Sequence, residues 1–125
     1  MTRNKNRLGI FALVLIFGFI ATVVHAQSTR ITESNLVGIW DLESVQNVSR
    51  EDIVEIISFS NDRTGFDSSG RFDWKLLDGN RILFDEDEDY EYDIELRENG
   101  TLLVFHYSGR NYSGAHPQRA MYRKR

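Results

Sequence analysis

From residue 38 onward the chain is built of short runs in which apolar and polar residues alternate, and this two-residue period constrains the fold more than any other feature. The clearest run is Tyr90–Leu96, where Tyr90, Tyr92, Ile94 and Leu96 fall on one parity and Glu91, Asp93 and Glu95 on the other. Successive strand side chains point to opposite faces, so such a segment turns one face to a core and the other to water. Phe72, Trp74 and Leu76 alternate with Arg71, Asp73 and Lys75 in the same way. Ile53–Ser60 and Thr101–Tyr107 are apolar on both parities, the pattern of strands covered on both sides.

Turn residues separate these runs. Asp78-Gly79-Asn80 and Asn99-Gly100 supply left-handed backbone cheaply, and the second pair is the strongest hairpin signal in the chain. The periodicity predicts strands over 38–48, 53–60, 64–68, 71–77, 80–84, 90–97, 101–107 and 119–124, with one helical turn over 31–37 capped by Thr32 or Ser34. Eight short consecutive strands with turns between them predict an all-β fold, a small antiparallel up-and-down barrel. Residues 108–118, rich in Gly, Ser and Asn, form the longest break and read as a loop before the closing strand.

The first residues read differently. Arg3, Lys5 and Arg7 precede an almost unbroken apolar stretch, Leu8–Val24, and Val24-His25-Ala26 ends in a small residue of the kind that a signal peptidase reads. We expect an export signal over residues 1–26, cut after Ala26, and one domain over 27–125. An uncleaved anchor is the other reading of the same stretch. Export predicts a secreted or periplasmic protein. The chain has no cysteine, so neither lipid attachment through cysteine nor a disulfide framework applies, which favours a bacterial envelope over a disulfide-stapled eukaryotic domain.

Without the leader, 12 Lys and Arg face 19 Asp and Glu, a net charge of −7. That field repels phosphates and anionic headgroups, which argues against nucleic acid as a partner and against membrane association once the leader is gone. The basic cluster Arg119, Arg123, Lys124 and Arg125 reads as a solvated strand end.

Four text segments carry a family resemblance: LVGIW at 36–40, ISFSNDRTG at 57–65, FDWKLLDGN at 72–80 and IELRENGTLLV at 94–104. In order and spacing they resemble the small bacterial lipocalin-like domains found behind signal peptides, over about residues 34–124. The resemblance implies that Trp40 packs across the closed end of a barrel, that Gly38 lets the backbone approach there, and that a basic residue of the last strand covers the indole, Arg123 by preference and Lys124 second. Full lipocalins are longer and usually carry a disulfide, so this barrel is expected to be smaller. Trp40, Phe59, Phe72, Trp74, Phe84, Tyr90, Tyr92 and Phe105 are its expected occupants.

Little points to catalysis. His106 and His116 are isolated, no nucleophile motif accompanies them, and neither a metal site nor a cofactor is expected. Asp85, Asp87 and Asp89 have the alternate spacing of a calcium loop, but Tyr90 stands where the tight turn needs Gly. The run reads instead as an acidic hairpin tip.

The leading expectation is therefore a non-enzymatic binder of a small apolar or amphipathic molecule, with Trp74, Tyr92 and His106 as polar handles facing inward. The alternative is a filled barrel that docks an envelope protein. An internal cavity of about 300 Å³ or more, open opposite Trp40, separates the two.

Overall fold

The computed structural model describes residues 29–78, 80–109, 114 and 116–125. The expected leader, and part of the loop expected over 108–118, lie outside the described residues.

Eight antiparallel strands close into one barrel in chain order: β1 Gly38–Gln46, β2 Ile56–Phe59, β3 Thr64–Asp67, β4 Gly70–Leu77, β5 Arg81–Phe84, β6 Glu91–Arg97, β7 Leu102–His106 and β8 Arg119–Lys124, with β8 returning to β1. The expected fold class and strand order are those observed. Closure removes the free sheet edges that a short sheet would otherwise expose. Alternation sorts the side chains as the sequence implies: Trp40, Ile57, Phe59, Phe72, Trp74, Ile82, Ile94, Leu96, Leu103, Phe105, Ala120 and Tyr122 form the buried interior.

Strict up-and-down order fixes which connections share an end. The β2–β3, β4–β5 and β6–β7 turns lie at the end where β1 begins, and the other connections lie opposite. A single-turn helix, α1 (Glu33–Leu36), seals the first end. The Thr32 hydroxyl accepts from Asn35 N–H while Thr32 N–H donates to the Asn35 side chain, a reciprocal cap. Leu36 is wholly buried, and the Trp40 indole donates to its carbonyl at 2.8 Å. Thr29 N–H donates to Leu96 O at 2.8 Å, tying the preceding segment to the same end.

Lys124, not Arg123, covers Trp40. Its Nζ lies 5.5 Å from the indole centroid and 3.4 Å from Asn35 O. The reason is register: Lys124 pairs with Trp40 and shares the inward parity of Ala120 and Tyr122, whereas Arg123 pairs with Asp41 and faces out. Arg123 instead meets Glu43, at 3.0 Å, and Glu98. Gly38 serves the lysine stem, since a Cβ there would sit 3.1 Å from Lys124 Cε, and its φ of +140° disfavours any side chain.

Four details depart from the sequence reading. β1 carries a bulge between Leu42 and Ser44, which shifts the inward parity from Leu42 to Val45. Ile53 and Val54 precede β2 and fold, half-buried, over the open end. Tyr90 belongs to a short 3₁₀ turn, Glu88–Tyr90, and is 53% exposed rather than an interior residue. The β6–β7 turn places Glu98, Asn99 and Gly100 all at positive φ, so left-handed backbone begins one residue before the Asn-Gly pair.

β7 is buried along its whole length. Leu103 and Phe105 face the interior, while Leu102, Val104 and His106 lie on the outer face between Arg97, Glu95 and Asp93 of β6 and Arg123, Met121 and Arg119 of β8. Long side chains flanking an apolar strip can cover it while their polar ends stay in water.

Candidate functional site

The barrel is not filled throughout. At the end opposite Trp40 a cavity of about 480 Å³ opens to solvent, within the usual range for small-molecule sites. Its wall is Ile57 of β2, Phe72 of β4, Phe84 of β5, Tyr92 of β6, Phe105 and Tyr107 of and just after β7, and Tyr122 of β8. Asp52, Ile53, Val54, Asp67, Ser69, Gly70, Arg71, Asp85 and Tyr90, from the β1–β2, β3–β4 and β5–β6 connections and the adjoining ends of β3 and β4, make the rim.

The wall rings support one another. Phe72 meets Phe84 edge-on at 5.2 Å, Tyr92 meets Tyr107 edge-on at 5.3 Å, and Phe105 meets Tyr122 edge-on at 5.6 Å. Such pairs each add about 0.5–1.5 kcal/mol beyond their area burial and favour this mutual arrangement of the rings. Outside the cavity lining, Phe59 packs edge-on against Trp74 at 5.3 Å in the core.

Three phenols bring polarity into this apolar space. The Tyr122 hydroxyl donates to Val54 O at 2.8 Å, joining the last strand to the rim. Burial pushes the Tyr107 phenol up to about 12, with the neighbouring Tyr92 adding to the effect. Burial also raises Tyr122, reinforced by Tyr107 and by the carboxylates of Asp67 and Glu55, and raises Tyr92 to a lesser degree. All three are neutral near pH 7 and offer hydrogen bonds without charge. Among the described residues that line the cavity there is no histidine, cysteine or lysine.

The expected polar handles do not converge. Tyr92 lines the cavity. Trp74 is buried outside it, its indole N–H satisfied by Thr64 O at 2.9 Å. His106 faces away from the interior, 5% exposed, with Nε2 3.1 Å from Glu95 Oε2, while Arg97 meets the same carboxylate oxygen at 2.9 Å. Its parity with Leu102 and Val104 already assigns it to the outer face. Tyr107 and Tyr122 line the cavity with Tyr92, and the same parity rule marks them through Leu103–Phe105–Tyr107 and Ala120–Tyr122–Lys124.

The acidic run 85–91 is spent on the turn itself. Asp87 N–H donates to Phe84 O at 3.0 Å across Asp85 and Glu86, both at positive φ. The Asp85 carboxylate accepts from Asp73 N–H at 2.9 Å and the Asp87 carboxylate from Asp89 N–H at 3.0 Å. Among the described residues no three His, Asp or Glu side chains converge in a way that would hold a metal ion.

No protein-family model matches the chain, and no curated protein matches its sequence.

Proposed function

We propose that this chain is a non-enzymatic, exported, lipocalin-like protein that carries one small apolar or amphipathic molecule in the open end of its barrel. The observation that carries the reading is the cavity of about 480 Å³, walled by seven apolar and aromatic side chains and open opposite Trp40. Apolar walls supply the driving force, at roughly 25 cal/mol per Å² removed from water, and the phenols supply orientation. The expected leader and the texts LVGIW, ISFSNDRTG, FDWKLLDGN and IELRENGTLLV support export and the lipocalin-like assignment.

The test uses N-phenyl-1-naphthylamine, a neutral dye that brightens on leaving water. The folded protein should bind it saturably, one per chain, and amide shifts in an NMR titration should cluster at Phe84, Tyr92, Phe105 and Tyr107. Absence of saturable enhancement, or shifts confined to the exposed Ile39, Ile56 and Phe66 on the outer face, would sink the reading.

A further inference from the structure

We propose that the molecule received by this cavity is an organic cation, an amine or quaternary ammonium borne on an aromatic or aliphatic body. This inference rests on the binding reading above and adds the sign of the ligand's charge. The site is the cavity; its rim decides what may enter. Among the described residues that line it, Asp52, Asp67 and Asp85 bring three carboxylates and Arg71 the one guanidinium.

Backbone hydrogen bonds hold two of the rim carboxylates in place: Asp85 accepts from Asp73 N–H at 2.9 Å and Asp67 from Ser69 N–H at 2.7 Å. Burial and the neighbouring Tyr107 raise the Tyr122 phenol most, and the carboxylates of Asp67 and Glu55 add to it in the same direction. Low-dielectric walls focus such a field into a cleft.

The wall complements it. The rings of Phe84, Tyr92, Phe105 and Tyr107 lie with centroids 5.3–6.5 Å from their neighbours around one space. Ring faces carry negative quadrupole potential and hold ammonium groups by cation–π attraction, most strongly when the cation is desolvated. A carboxylate ligand meets three rim carboxylates that repel it and, among the described lining residues, one cation, Arg71, that attracts it. The net charge over residues 27–125, −7 with the rim included, pulls in the same direction over longer range.

The experiment compares three ligands with one body, (2-naphthylmethyl)trimethylammonium, 2-naphthylmethanol and 2-naphthoate, as competitors of the neutral dye on the intact domain. The ammonium should displace the dye at about one-tenth the concentration that the alcohol needs, and the carboxylate should be weakest. Added salt should narrow the spread. In Asp52→Asn/Asp67→Asn the ammonium should lose about three- to tenfold while the alcohol is unchanged, which also shows that the variant is folded. If all three ligands compete equally, or the carboxylate leads, the charge assignment is overturned while the binding reading stands. If neither the dye nor any of the three binds, the binding reading itself fails.

Discussion

Lys124 Nζ stands 5.5 Å from the centre of the Trp40 indole and 3.4 Å from Asn35 O, so one side chain of the final strand holds both the first strand and the helix before it. The ammonium meets a ring face on one side and a carbonyl of a helix end on the other, two partners that favour the same charge. Lys124→Met keeps the stem over Gly38 and removes only that charge. It should destabilise the domain by about 1 kcal/mol, read as a lower denaturant midpoint with an unchanged slope.

Trp40 has the larger share. Trp40→Ala leaves a cavity against Leu36, and should cost about 3–5 kcal/mol, a large part of the ~5–15 kcal/mol that holds a domain of this kind. Trp40→Phe refills much of the space but orphans the Leu36 carbonyl that the indole N–H now satisfies. Its cost should lie between wild type and the alanine variant, and an unchanged melting temperature for either variant would remove Trp40 from the core.

Arg123 supplies the contrast. Its guanidinium reaches Glu43 and Glu98 on the outer surface, with more than a third of the side chain in water. A double-mutant cycle on Arg123→Gln and Glu43→Gln should give a coupling of only ~0.2–1 kcal/mol, shrinking as salt is added.

Gly65 is a steric requirement in the middle of β3. A Cβ there would run into the Ser58 carbonyl oxygen and lie 2.5 Å from Cζ of the Phe72 ring. Gly65→Ala should destabilise by about 1–3 kcal/mol, as overpacking does, and should disturb the Phe72–Phe84 ring contact that shapes the cavity wall. Aromatic side-chain NMR shifts would read the second effect separately from the first.

The buried phenols set a limit in alkali. Tyr107 ionises at about 12 when folded and near its ordinary value of 10 when unfolded, so above pH 10 the unfolded chain releases protons that the folded chain retains. Stability is therefore intact below pH 10 and falls as pH rises from 10 towards 12. The raised phenols of Tyr122 and Tyr92 act in the same direction. Phenolate absorbance should appear late and together with unfolding, and Tyr107→Phe should flatten the decline.

Two-residue alternation was enough to place eight strands, because burial of one face forces that period wherever a strand forms. It was not enough where the backbone breaks the period. The bulge at Glu43 hides the inward role of Val45, and a local 3₁₀ turn lifts Tyr90 out of the interior. For His106, the parity it shares with Leu102 and Val104 points it outward, and an imidazole's chemistry does not override the position that the strand period gives it. The same parity, followed one step further in β8, separates Lys124 from Arg123. The cavity was beyond reach of any such rule, since its volume depends on how far opposing rings extend toward each other across the barrel.

Thr29 is tied to Leu96, and Arg125 N–H donates to Ile39 O at 2.8 Å, so the described chain enters and leaves at the pole sealed by α1. A tag, a resin or a tether attached beyond either residue is thus offered the far side of the molecule. Immobilised through its carboxyl end, the domain would present its mouth to the bulk liquid, ready for titration on a chip without a blocking handle.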